Sequence, residues 1–316
     1  MLPYTIREVI ITGAQGVKLP ANVWIPKGQG PFPGIIFIHS WALNQFEYIA
    51  QMEKFARAGY VVLAYDCRGW GLAGGRIETA GPLEMQDLNR VVDWLIANTP
   101  VDPSRIGATG ISYGGGQSLL ALAFEPRVKT IVAMSGWTDL AESLAPNDSV
   151  KWLWATLLVG SAALLGREST DLLRWFLSAF DYQKFEQTKE DFRLRSAATY
   201  INQINASGKS AFIINGINDD LFTSRQIVNF YQALTIPKKL YLANGIHATA
   251  EAPGLLFLPS HVWSQAMDWF DYWLKGEENG IMKEKPVAIY QNWDLQVGRY
   301  DDWPIPGTEE KAYYLV

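Results

Sequence analysis

Short, largely apolar runs recur along this chain with room for one helix between each pair, and that alternation decides the fold class. GIIFIH (34–39), VVLAY (61–65), RIGATGI (105–111) and VKTIVAM (128–134) are separated by helix-like segments at 46–58, 82–98 and 114–124. In the segment 82–98, Leu83, Met85, Leu88, Val91, Val92 and Leu95 share one face. Strands apolar on both faces that alternate with helices predict a parallel sheet covered on both sides. Two earlier runs, 5–11 and 18–24, flank Gly13 and Gly16 and predict a hairpin. The alternation stops over 141–208, which holds no strand-like run and predicts helices, among them 150–165 and 171–180. It resumes with strand 211–215, helix 224–234, strand 240–243 and helix 260–274. The reading is an α/β fold: a mostly parallel central sheet, helices on both faces, and a helical cap inserted above the strand ends. The expected organisation is a core of 1–137 and 209–285, a cap of 138–208, and an extended tail of 286–316 with strands at 287–291 and 311–316.

Composition narrows the function. Hydrophobic residues make up 48% and charged residues 19%, enough for a sizeable core and too few charges for a disordered chain. A net charge of −5 disfavours a nucleic-acid partner, which needs a basic surface. A single cysteine, Cys67, excludes a disulfide framework, and the well-separated His39, His247 and His261 exclude a Cys/His zinc site. No metal and no cofactor are expected. Residues 1–12 lack the basic and apolar stretches of a signal peptide. The longest uncharged apolar run, 152–166, has 15 residues. A bilayer needs about 20, so no membrane span is expected, and the predicted location is cytoplasmic.

The chemistry centres on Gly110-Ile111-Ser112-Tyr113-Gly114, which lies between a predicted strand and a predicted helix. A serine on a sharp strand-to-helix turn projects its hydroxyl clear of the sheet, and only small residues two positions away leave room for the turn. The following helix aims its N-terminal N–H groups at the same spot. Such a nucleophile needs a base, and the base needs an orienting acid. Strand 211–215 runs into Gly216-Ile217-Asn218-Asp219-Asp220, and strand 240–243 into Asn244-Gly245-Ile246-His247. Both loops belong to the sheet edge that carries Ser112. Asp219 is the preferred acid, with Asp220 the alternative, and His247 is the base. His39 follows an earlier strand, where a loop normally forms an oxyanion hole, and His261 begins a late helix. The two oxyanion donors expected are the backbone N–H groups of Tyr113 and Trp41. Trp137, Trp152 and Trp154 are candidate walls of the substrate pocket. The run 152–165 reads as a helix covering an apolar pocket, with a lipid-binding lid as the alternative.

One further motif competes. Gly69-Trp70-Gly71-Leu72-Ala73-Gly74 is a literal G-x-G-x-x-G. A dinucleotide site wants a helix opening at the last glycine and an acid at the end of a later strand. Here Gly81 and Pro82 precede the helix, while Asp87 and Asp93 lie within it. The segment reads as a structural turn in which Asp66 and Arg68 could pair.

Taken together, these segments resemble the X-prolyl dipeptidyl-peptidase and cocaine esterase family of α/β-hydrolases. The resemblance runs through 59–71 (GYVVLAYDCRGWG), 93–95 (DWL), 101–107 (VDPSRIG), 110–115 (GISYGG), 218–222 (NDDLF) and 271–276 (DYWLKG). It implies an α/β-hydrolase fold and the triad Ser112, Asp219 and His247. Ala73 stands where the family pattern has serine. Many relatives continue after the segment resembling 286–315 into a jelly-roll domain. Residues 286–316 would then correspond to its first strands, pairing with each other, with the hydrolase core or with a second copy of the chain in a homo-oligomer.

The leading functional reading is a serine hydrolase acting on small carboxylic esters through an acyl-enzyme. The alternative is a peptidase acting on a short peptide, releasing an Xaa-Pro dipeptide or an acyl-amino acid. That reaction would need an acid to hold the substrate's ammonium, with Glu142, Asp148, Asp171 and Asp181 the candidates in or beside the cap. The reading from another class is a non-catalytic binding protein on a hydrolase scaffold, which usually lacks a triad member.

Overall fold

Each apolar run becomes a strand whose successive side chains enter two different cores. The computed structural model describes residues 2–291, 294–309 and 311–313. Its strands are β1 (Tyr4–Thr12), β2 (Lys18–Pro26), β3 (Phe32–Ile38), β4 (Val61–Tyr65), β5 (Val101–Ile111), β6 (Val128–Met134), β7 (Ser210–Gly216), β8 (Lys238–Ala243), β9 (Val287–Gln291) and β10 (Gln296–Tyr300). They form one sheet in the order β1-β2-β4-β3-β5-β6-β7-β8-β9-β10. The stretch from β4 to β9 is parallel, while β1, β2 and β10 add antiparallel edges. In β3, Ile36 and Ile38 face one core while Ile35 and Phe37 face the other, as the two-residue period of a strand requires.

Helices cover both faces. On one side lie α1 (Ile49–Arg57) and, from late in the chain, the helix His261–Phe270, which bring Met52, Phe55, Trp263 and Trp269 to the sheet. On the other lie α2 (Pro82–Asn98), α3 (Tyr113–Phe124) and the helix Ser224–Ala233, with Leu88, Leu119 and Ile227. Between β6 and β7 the chain is helical: α4 (Leu140–Leu144), α5 (Trp152–Leu165), α6 (Thr170–Ser178), α7 (Tyr182–Arg193) and α8 (Ile201–Asn205). The later helices are α9 (Ser224–Ala233), α10 (Ala252–Leu255) and α11 (His261–Phe270). A mostly parallel sheet with helices on both faces is the α/β-hydrolase class that the sequence predicts. No helix among the described residues is long and apolar enough to cross a membrane.

Three expectations need correction. The helix predicted from residue 46 begins only at Ile49, because the Asn44 side chain and carbonyl take the Phe46 and Glu47 amides and close a turn first. In the tail, β9 pairs with β8, and its other edge is taken by β10 rather than by residues 311–313. The nearer segment wins because a short connection closes at lower entropic cost. Lys311, Ala312 and Tyr313 form no strand and are exposed, and 314–316 lie outside the described residues. Finally, Asp66 and Arg68 are not a pair. Asp66 accepts the amides of Gln45 and Leu72, both at 2.8 Å. Arg68 turns to α2 and forks onto Asp87 at 2.6 and 2.8 Å. The glycine-rich segment is thus a turn, with Gly69 and Gly71 at φ +79° and +51°.

The Arg68–Asp87 pair is almost fully buried, with side-chain exposures of 3% and 1%. Removing one member of such a pair strands a charge, at a cost of about 3–5 kcal/mol. Asp87→Ala should therefore lower stability by about that amount in urea unfolding, whereas replacing both partners by apolar residues should recover most of the loss.

Candidate active site

The site is built at the C-terminal ends of the parallel strands, starting from the turn between β5 and α3. Ser112 has φ +56° and ψ −112°, a strained conformation for a residue with a Cβ. Small neighbours permit it: a Cβ on Gly114 would lie 1.8 Å from the Ile38 carbonyl oxygen, and one on Gly110 2.4 Å from the same atom. The Ser112 N–H donates to the Met134 carbonyl at 2.8 Å, which ties the turn to the end of β6. Tyr48 ties it to β3: its hydroxyl accepts the Ile111 N–H at 2.8 Å and donates to the Ile38 carbonyl at 3.1 Å.

Two later loops bring their side chains to this turn. The Ser112 hydroxyl donates to His247 Nε2 at 2.9 Å, and His247 Nδ1–H donates to Asp219 Oδ2 at 2.9 Å. The carboxylate at Nδ1 selects the tautomer that leaves Nε2 free to accept. Asp219 Oδ1 accepts the amides of Leu221 and Phe222 at 2.9 and 2.8 Å, so the acid itself is held. The loops are locked to each other, since the Asn218 N–H donates to the Gly245 carbonyl and the Ile217 N–H to that of Ala243. Phe222 and Trp154 stand edge-on to the imidazole, with ring centroids at 5.2 and 6.0 Å. Asp220 is exposed, and its backbone carbonyl accepts from Lys151 at 2.7 Å. His39 is buried, accepts the Cys67 N–H at Nε2 and donates from Nδ1 to the Ser40 carbonyl. Burial lowers its pKa, so it is a neutral structural group. His261 is exposed against Tyr241.

Two clefts meet at Ser112. One, about 800 Å³ with its mouth, runs beneath α5 to α7 and is lined by Tyr113, Trp137, Leu158, Trp175 and Phe192. No charged side chain lines it among the described residues. The other, about 1040 Å³ with its mouth, is more open and is lined by His247, Trp154, Leu157, Glu47 and Leu255. Trp41 and Leu158 border both. The Trp41 indole N–H donates to the Leu158 carbonyl and Ser161 Oγ of α5 at 3.0 and 3.1 Å, so this ring partitions the site and pins the cap. Trp137 and Trp154 thus stand at the site, one in each cleft. Trp152 does not. It is 41% exposed and packs on Phe176 and Phe180. Two residues along a helix are about 200° apart, so α5 cannot turn both Trp152 and Trp154 inward.

The supporting carboxylates carried no readable sequence signal. Glu84, inside α2, accepts the Tyr113 hydroxyl at 2.5 Å and the Glu78 amide at 3.1 Å, so it anchors the cavity wall from behind. Burial outweighs these hydrogen bonds and pushes its pKa up to about 7. Glu251 accepts the Ser135 hydroxyl at 2.7 Å, and Ser135 Oγ in turn receives the Ala248 N–H at 3.3 Å, beside His247. Burial raises its pKa as well. Among the described residues, no cluster of three His, Cys, Asp or Glu side chains is placed to hold a metal ion. A hydroxyl, an imidazole and a carboxylate in this chain can pass a proton from oxygen to nitrogen while the oxygen attacks an acyl carbon.

Comparison with known proteins agrees with the sequence resemblance. Residues 15–249 match the model of the X-Pro dipeptidyl-peptidase (S15) family. The chain belongs to that family. A Bacillus anthracis protein provisionally named an Xaa-Pro dipeptidyl-peptidase is 24% identical over 277 residues, covering 79% of this S15-family chain and 44% of that protein. The chain therefore spans less than half the length of this relative. Among solved structures, a Pyrococcus furiosus esterase matches with a TM-score of 0.61 at 22% identity, covering 86% of this chain and 94% of its own. A Pyrococcus horikoshii acylaminoacyl peptidase matches with a TM-score of 0.65 at 20% identity, covering 89% and 43%. These likenesses establish the α/β-hydrolase fold of this S15 member.

Two outcomes are expected at the site. Glu84 has a folded-state pKa of about 7 against an ordinary value near 4.5. A raised carboxyl stabilises the fold fully below its unfolded pKa and loses that contribution as pH rises through the folded value. Glu84 should therefore lower the melting temperature as pH rises from 5 to 8, and Glu84→Gln should remove that contribution, whereas buried His39, its pKa lowered, adds an opposing rise toward pH 6.5 in both proteins. Half-buried Glu47, also held near 7, supplies a share that the variant keeps. Fluorophosphonate labelling should mark Ser112, stop in Ser112→Ala, slow by orders of magnitude in Asp219→Asn, and persist in Asp220→Asn.

Proposed function

We propose that this chain is a serine hydrolase that cleaves carboxylic esters bearing an apolar acyl group. Ser112 is the nucleophile, His247 the base and then the acid, and Asp219 the group that orients and supports the imidazolium. The amides of Tyr113 and Trp41 receive the oxyanion, a role in which each donor typically supplies about 3–4 kcal/mol. An acyl-enzyme forms on Ser112 Oγ, and water, deprotonated by His247, releases the acid.

The observation that carries the ester reading is the division of the site. In the first step His247 Nε2 must hand its proton to the leaving oxygen, so the leaving group belongs in the cleft that His247 lines. The acyl group then enters the other cleft, which is lined mainly by aromatic and aliphatic side chains and, among the described residues, has no charge on its walls. A dipeptidyl-peptidase places its substrate's ammonium on the acyl side, where burying an unpaired cation is costly. The four acids considered from the sequence do not meet that need. Glu142 faces Arg225 at 3.7 Å in a separate polar cleft. Asp171 and Asp181 pair with Arg174 and Lys184, each at 3.0 Å, and Asp148 pairs with Lys189.

Burying one methylene contributes about 0.8 kcal/mol, roughly fourfold in affinity. With p-nitrophenyl esters, kcat/KM should accordingly rise by up to about fourfold per added carbon from acetate toward hexanoate. Ser112→Ala should abolish turnover, and an Xaa-Pro p-nitroanilide should be cleaved far more slowly. Faster cleavage of the anilide than of the butyrate would transfer the proposal to the peptidase reading. Folded protein inert toward esters, anilide and fluorophosphonate would reject both in favour of a binding role.

A further inference from the structure

The turn that carries Trp41 is held by a carboxylate with no place in the proton relay. Glu47 Oε2 accepts the Ser40 N–H at 2.6 Å, and Glu47 Oε1 accepts the Ser40 hydroxyl at 2.6 Å. Ser40 Oγ also lies 3.1 Å from the carbonyl oxygen of Ile111, the residue before Ser112. On the other side of Ser40, its carbonyl accepts His39 Nδ1–H at 2.7 Å and the Leu43 N–H at 3.2 Å. That carbonyl belongs to the same planar peptide unit as the Trp41 N–H, and in a trans peptide the two point in opposite directions. Pinning the carbonyl therefore aims the N–H. Pinning the preceding amide and side chain through Glu47 removes the remaining rotation about Ser40.

We propose that Glu47 is a positioning residue for oxyanion stabilisation, holding Ser40 at amide and hydroxyl so that the Trp41 N–H stays directed at the Ser112 turn. The inference rests on the reading of the Trp41 N–H as an oxyanion donor. Its physical basis is that a preorganised donor costs no reorganisation when charge develops. Glutamate suits the task because, once ionised, its carboxylate only accepts, and here it accepts two hydrogen bonds from one residue. A glutamine in its place offers one acceptor atom and turns an NH₂ group toward the second donor.

The test uses the whole chain with tryptophan backbone amides labelled with ¹⁵N, the Trp41 signal being assigned by its loss in Trp41→Phe. Reaction with an alkyl p-nitrophenyl phosphonate leaves a phosphonyl oxygen where the oxyanion would sit. The wild-type Trp41 amide should move downfield on phosphonylation. In Glu47→Gln that movement should shrink, and kcat for p-nitrophenyl butyrate should fall about 10- to 100-fold with KM within about twofold, as expected for weakening one such donor. A wild-type amide that does not move overturns the oxyanion reading itself and the proposal with it. A wild-type amide that moves, with the same movement and kcat in Glu47→Gln, overturns the role of Glu47 alone. Glu47 lines the leaving-group cleft, so choline butyrate is run in parallel. A rise in KM confined to this cationic ester, with kcat intact, would make Glu47 a substrate contact and reject the positioning role. Should Glu47→Gln fail to fold, Ser40→Ala removes one of the two bonds and should show a smaller kcat loss in the same direction. An unchanged kcat and amide shift there would overturn the proposal.

Discussion

Everything at this site depends on one close approach, that of the β5–α3 turn to the end of β3. The Ile38 carbonyl oxygen sits where a Cβ of residue 114 would be, and the same atom crowds position 110. Glycine at both places lets the helix start directly behind the strand, with Ser112 left at positive φ on the crest. Tyr48 joins the two strands through one hydroxyl, accepting from Ile111 and donating to Ile38. The strain of the serine is therefore held by a parallel sheet buried on both faces. The same contact sets the level of the neighbouring β3 turn, so the two amides proposed as oxyanion donors come from elements in direct contact.

The polar groups that support the site lie behind its walls or at its rim. Glu84 holds the Tyr113 phenol from within α2, Glu251 holds Ser135 beneath the His247 loop, and Glu47 holds Ser40. Each accepts hydrogen bonds from groups that would otherwise be free to rotate. Burial pushes all three carboxyls upward in pKa, the thermodynamic cost of orienting groups near an apolar cavity. The cavity can stay uncharged because its polar scaffolding faces away from it. Trp41 unites the two schemes, with an aromatic face that divides the clefts and an indole N–H that reaches the cap.

Much of this was legible in the residues. The apolar runs of the sheet needed no tertiary knowledge, because a strand covered on both faces must be apolar throughout. Ser112, Asp219 and His247 could be named because each follows a strand that ends at the same edge. Pro82 marked the start of α2 for a local reason, since its missing N–H costs nothing there. The misreadings have one cause. Trp152 reads as a pocket wall because a uniformly apolar helix gives no clue to its inner face. The strand β10 is hidden because Gln296, Gly298 and Arg299 look like loop, and only the open edge of β9 makes them a strand. Glu47, Glu84 and Glu251 look like ordinary surface acids until the fold encloses them.

The residues alone thus determined the succession of strands and helices through the parallel sheet, the crest serine and its histidine, because local sterics and hydrophobic period govern those features. Only the tertiary structure decided which aspartate faces the imidazole, where the cap's apolar residues point, and how one tryptophan splits the site into an apolar side and a more open one. Those outcomes depend on contacts between segments far apart in the chain, such as the 117 residues that separate Trp41 from Leu158. No local pattern encodes the direction in which such segments meet.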